Sequence, residues 1–132
     1  MNEMEKLTIE SSVRHTIAAY CQMCDDGRFA EFADCFAADA LIAYRDTRLT
    51  GRDVIREWIT QAMPADKRGQ HVTYNTVIDV ADETHATAST DFLFLARTPD
   101  GPHISTAGRY LDEFAPFDGK WLFTRREITF LQ

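Results

Sequence analysis

Residues 71–131, HVTYNTVIDVADETHATASTDFLFLARTPDGPHISTAGRYLDEFAPFDGKWLFTRREITFL, carry the pattern that decides the fold. β-Branched and aromatic residues dominate the stretch, and clusters of Pro, Gly, Asp and Thr interrupt it three times. His71–Val80 reads as one strand, turned by Ala81-Asp-Glu-Thr84 into a second, His85–Arg97. Thr98-Pro-Asp-Gly-Pro102 leads into a third, His103–Ala115, and Pro116-Phe-Asp-Gly119 into a fourth, Lys120–Leu131. Consecutive strands joined by short turns predict an antiparallel meander, because parallel neighbours need long crossovers.

Upstream the period changes. Ile9, Val13, Ile17, Tyr20, Cys21 and Cys24 recur at helical spacing, with Thr8 or Ser11 as a cap and Asp25-Asp26-Gly27 as the stop. Phe29, Phe32, Ala33 and Phe36 predict a short second helix, and Ala40–Arg45 a short strand. Thr50-Gly51 marks a turn before a third helix over residues 52–63, whose stripe is Val54, Ile55, Trp58, Ile59, Ala62 and Met63. Helices that precede a sheet must cover one of its faces. The expected fold is therefore α+β: one domain, residues 1–132, with a curved antiparallel sheet wrapped on N-terminal helices into a cone with an interior. Phe92-Leu-Phe-Leu95 is apolar on both strand faces, so the outer face needs cover, and a homodimer is expected.

A chain of 132 residues with 45% hydrophobic and 27% charged residues has enough apolar matter for a core, or a core with a hole in it. A net charge of −7 argues against nucleic acid and anionic membrane surfaces as partners, since both are bound through Lys and Arg. No apolar run approaches membrane length, and Met1–Lys6 is acidic and polar rather than a leader, so a cytoplasmic location is expected. Cys21-Gln-Met-Cys24 has metal-ligand spacing but no second pair, and both residues fall on the apolar helical stripe. Together with Cys35 they read as free buried thiols, with no metal expected. There is no phosphate loop, nucleotide fingerprint or Ser–His–Asp order, so a reaction without a cofactor is the simplest enzymatic reading.

The layout resembles the SnoaL-like, nuclear transport factor two-like superfamily along nearly its whole length. The residues that carry the resemblance are Tyr20 and Asp25-Asp-Gly-Arg-Phe29, then Cys35-Phe-Ala-Ala-Asp-Ala40 and Gly51-Arg52 with Ile55. Further on come His71 with Asn75, Gly108-Arg-Tyr110 with Asp112-Glu-Phe114, and Asp118-Gly-Lys-Trp121. Scytalone dehydratase and the lindane dehydrochlorinase look similar at Asp25 and His71. The resemblance implies that the two meet in the pocket, the carboxylate orienting the imidazole and the imidazole removing a proton during an elimination. It also implies that Tyr44 works on a substrate oxygen, although Tyr44 as wall packing fits the pattern equally. Tyr20 falls where ketosteroid isomerase has its oxyanion-hole tyrosine, but Tyr44 stands where that enzyme needs a carboxylate base.

Other positions depart from these enzymes. The second His of scytalone dehydratase falls near Leu95, its substrate-binding Asn near Tyr110, and its Tyr before the Asp is Cys24. Tyr20, Asn75, Tyr110, Leu95 and Trp58 are accordingly expected to contact substrate, with no particular substrate implied. Of Arg125 and Arg126 only one can look inward. The resulting expectation is a cofactor-independent lyase or isomerase. Asp25, His71 and Tyr44 would be its catalytic groups, and the substrate would be small, apolar and cyclic or polyketide-like. The alternatives are a non-catalytic small-ligand-binding module and a structural subunit resembling the β subunit of aromatic-ring dioxygenases.

Overall fold

The computed structural model describes residues 1–132. The chain runs α1 (Glu3–Asp25), α2 (Phe29–Ala33), β1 (Phe36–Tyr44), β2 (Thr47–Thr50), α3 (Arg52–Ala62), a 3₁₀ turn (Ala65–Lys67), β3 (Gln70–Asp82), β4 (His85–Thr98), β5 (Gly101–Phe117) and β6 (Lys120–Phe130). No helix is long and apolar enough to cross a membrane.

The start of α1 lies upstream of Thr8. The Asn2 side chain accepts from the Glu5 amide at 2.8 Å and donates to the Glu5 carboxylate at 3.1 Å, which satisfies the first turn six residues before the proposed Thr8 cap. The buried stripe Ile9, Val13, Ile17, Tyr20, Cys21 and Cys24 is the one that the spacing predicts. At the far end Arg28 N–H bonds Met23 C=O at 2.8 Å and Gly27 N–H bonds Cys24 C=O at 3.1 Å. This is a Schellman ending, with Gly27 at φ +72°, a conformation a side chain would strain. The stop fixes Asp25 as the last residue of the helix.

The sheet has six strands in the order β2-β1-β6-β5-β4-β3. β3 to β6 form the antiparallel meander that the turns predict. β1 adds to β6 in parallel, so the sheet is mixed, and β2 and β3 are unpaired edges that leave it open. Register shifts interrupt the ladders at Tyr74/Val77, Phe94/Leu95 and Glu113/Phe114. Each such bulge bends its strand, and together they curl the sheet around α1. α1 packs on β3 and β6, and Trp121 is clasped by it. Its carbonyl accepts from Thr16 Oγ1 at 2.5 Å, and its amide donates to Ser12 Oγ at 3.1 Å.

On β4 the even positions Ala86, Ala88, Thr90 and Phe92 are buried, so this face looks inward. Leu93, Phe94 and Leu95 are half-buried, in keeping with an apolar segment on both faces. Trp121 and Phe123 join the core, as their shared face predicts. The bulge at Thr124 then shifts the phase of β6. Arg126 faces inward with no exposed surface, and Arg125 faces out between Glu113 and Glu127.

Candidate active site

Asp25 and His71 meet. One carboxylate oxygen of Asp25 accepts from the His71 backbone N–H at 2.9 Å, and the other lies 2.6 Å from His71 Nδ1. The end of α1 thus grips the start of β3 by both main chain and ring. A carboxylate can only accept, so in the neutral imidazole Nδ1 is the nitrogen that carries the hydrogen and Nε2 the one with the lone pair. The two side chains are 13% and 9% exposed, so the pair is largely shielded from water without being sealed. Phe94 packs edge-on to the imidazole at 4.8 Å, and the Tyr20 ring meets it at 6.1 Å. Gly69, just before β3, leaves no space for a side chain. A Cβ there would collide with the Leu95 carbonyl and the Phe94 ring.

An open cleft of about 790 Å³ reaches the Asp25 side of the dyad. Gln22, Asp26, Gln70, Arg97 and Thr98 line it together with Leu95, so its walls are mostly polar. The interior, expected to hold an apolar ligand, is instead filled by rings. Tyr110 stacks on Phe92 at 4.2 Å, Tyr20 meets Tyr110 at 5.9 Å, and Phe123 meets Tyr20 at 5.8 Å.

At the centre of these rings lies Arg126, which sequence reasoning left unassigned. Its guanidinium sits 3.6 Å from the Tyr110 ring centroid and 4.2 Å from that of Tyr20. Nε and one terminal nitrogen donate to the Asp112 carboxylate at 2.8 and 2.9 Å. Nη1 is buried without a partner, as is Thr90 Oγ1. Burial opposes the charge on Arg126, but Asp112 more than offsets it, so the group stays protonated above its ordinary range. Burial pushes both tyrosine hydroxyls well above their ordinary pKa, against the pull of Arg126, so Tyr20 and Tyr110 remain donors. The strand period alone points to Arg125 as the inward residue, because Trp121 and Phe123 share its parity. The signal that reverses this is the bulge, which the sequence does not reveal.

The other expected site residues part company. Tyr44 accepts a hydrogen bond from Trp58 Nε1 at 3.2 Å and packs against Phe130, bordering a separate hollow of about 280 Å³ with Arg45 and Arg48. Ring contacts connect it to His71 only in relay, through Phe130, Phe92, Tyr110 and Tyr20. Asn75 does not share the His71 face. It sits in the β3 bulge at φ +54° and donates to Asp91 at 3.0 Å on the outer side of the sheet. Tyr20 and Tyr110 are buried around Arg126, and Leu95 lines the cleft beside Asp25. His15 and His103 are exposed and His85 is half-buried.

A family model, the SnoaL-like domain, matches residues 5–127. No curated protein matches the sequence. Three similar solved structures come from Novosphingobium aromaticivorans. A candidate scytalone dehydratase is 25% identical over 99% of this chain and 89% of its own, with a TM-score of 0.89. An NTF2-like protein with a cystatin-like fold is 20% identical over 98% and 86%, with a TM-score of 0.88. The β subunit of a candidate aromatic-ring-hydroxylating dioxygenase is 19% identical over 98% and 93%, with a TM-score of 0.81.

Proposed function

Because the chain belongs to the SnoaL-like domain family, we propose that it is a cofactor-independent lyase or isomerase in which His71 is the general base and Asp25 its orienting partner. The observation that carries this reading is the double grip of Asp25 on His71, through the ring nitrogen and the main chain. The grip fixes the tautomer, aims Nε2 and stabilises the imidazolium formed on proton transfer. The likeness to a candidate scytalone dehydratase supports elimination as the reaction class. Tyr44, tied to Trp58, has no part in this reading. Arg126, sealed against Asp112 and the surrounding rings, is a fixed charge behind Tyr20 rather than a group that meets substrate. The substrate is a small molecule with an enolisable or eliminable carbon. The polar cleft favours one that carries hydroxyl or carbonyl groups on its apolar skeleton.

Turnover of enolisable ketones, hydroxylated rings and halides tests the reading. His71→Ala is expected to lower kcat by about 10²–10⁴ with KM little changed, and Asp25→Asn by less. A His71→Ala protein as fast as the parent would rule the dyad out.

The rival is a non-catalytic structural subunit, which the ring-filled interior and the likeness to a dioxygenase β subunit favour. It predicts co-purification with a larger chain and indifference to both substitutions. In either case we place a homodimer contact on the outer face of β3–β5, where Tyr74, Val77 and Leu111 are 42%, 62% and 44% exposed. The three buried free thiols fit a reducing compartment, and we assign the protein to the cytoplasm.

A further inference from the structure

The sequence pairs Cys24 with Cys21, but the fold gives it other neighbours. Cys24 is on the last turn of α1, next to Asp25, and is 1% exposed. The ligand-capable atoms of Cys24, Asp25 and His71 all lie within 4.8 Å of one another. A tetrahedral divalent ion with bonds of roughly 2.0–2.3 Å holds its donors roughly 3.3–3.8 Å apart, so side-chain adjustments of about an ångström close the set. Sulfur, imidazole nitrogen and carboxylate oxygen are the donors that zinc takes, and a thiolate with a carboxylate neutralises its double charge. The open cleft lined by Asp25 offers a path in.

We propose that Cys24, Asp25 and His71 form a site for a thiophilic divalent cation, zinc foremost, which silences the dyad when it binds. The ion takes Nδ1 and a carboxylate oxygen in place of their hydrogen bond and displaces the Cys24 thiol proton to solvent. The ring hydrogen moves to Nε2, which then has no lone pair for a substrate proton. The binding site stands on geometry alone, while the silencing rests on the acid–base reading above.

Cobalt(II) titration of the reduced protein tests the site without any substrate. One equivalent should give a near-ultraviolet thiolate-to-cobalt band with tetrahedral visible bands, and zinc should erase both. Cys24→Ala should abolish the thiolate band, whereas Cys21→Ala and Cys35→Ala keep it. His71→Ala should weaken binding at least tenfold. Should Cys24→Ala fail to fold by circular dichroism, Cys24→Ser is expected to fold and to lose the band. No thiolate band with excess cobalt, or one that survives loss of Cys24, overturns the proposal. A dyad that proves non-catalytic leaves the cobalt spectra untouched, so the two failures are distinct.

Discussion

Two acid–base pairs anchor this molecule, and they are built to opposite rules. Asp112–Arg126 is sealed, both side chains having zero exposure, and a guanidinium does not release its proton at any working pH. Asp25–His71 keeps about a tenth of each side chain open, and its cation exists only when a proton has been taken up. The sealed pair is a fixed charge on which Tyr20, Tyr110 and Phe123 are packed. The open pair is reached by solvent, which the sealed pair is not. A buried ion pair is thus no sign of chemistry in itself; access and a movable proton are what a pair proposed for catalysis must have in addition.

The contrast makes its largest prediction in stability. Asp112→Ala strands a buried guanidinium and should cost about 3–5 kcal/mol in urea unfolding, enough to threaten folding. Replacing both partners together by Leu and Met should restore most of that loss. His71→Ala, at the open pair, should cost clearly less. Equal losses would mean that the dyad is structural as well.

Cys21 lies between the two pairs and reports on both. Burial raises its thiol to about 11, with Arg126 pulling down and Asp25 pushing up. The folded thiol therefore holds its proton above the ordinary 9.0 at which the unfolded one loses it. This contribution is complete below pH 9 and is lost as pH rises towards 11, at about 1.4 kcal/mol per pH unit. Cys35, also raised to about 11, adds to the same slope, and Cys24, raised to about 12, extends it. Urea midpoints from pH 8 to 11 should fall accordingly, and Asp25→Asn should move Cys21 alkylation to lower pH. A flat profile would show that the thiols are solvated.

The smallest effect belongs to a third pair, Asp91–Arg109, on the outer face at 2.6 Å. Its bonds to Arg109 and then Asn75 hold Asp91 below its usual range, so its contribution is present at neutral pH and fades as acid titrates the carboxyl. Arg109→Ala should leave the urea midpoint unchanged within scatter, less still at high salt.

What could be read from the sequence was whatever depends on near neighbours. The stripes of α1 and α3 and the three turns between β3 and β6 follow from spacing and turn chemistry. β1 begins at Phe36 rather than Ala40, because Phe36 also completes the apolar spacing of a second helix and nothing local arbitrates. β2 has four residues with alternating exposure, too short for a strand signal. The parallel pairing of β1 with β6 depends on where two distant segments arrive, which no window contains. The site divides in the same way. Asp25 and His71 were legible only through resemblance, Asn75 was misplaced by the β3 bulge and Arg126 was hidden by the β6 bulge.

The Asp25–His71 contact spans 46 residues of sequence. A loop of that length must close, with α3 and the β1–β2 hairpin inside it, before either group has its partner. The site is therefore a product of assembly rather than a feature of any one segment. A chain that had folded its helices and its hairpins separately would possess every element of the fold and no dyad. Fraying of the last turn of α1 would erase the pair while leaving the sheet whole, so the state of the imidazole can serve as a gauge of whether the two halves of the chain have docked.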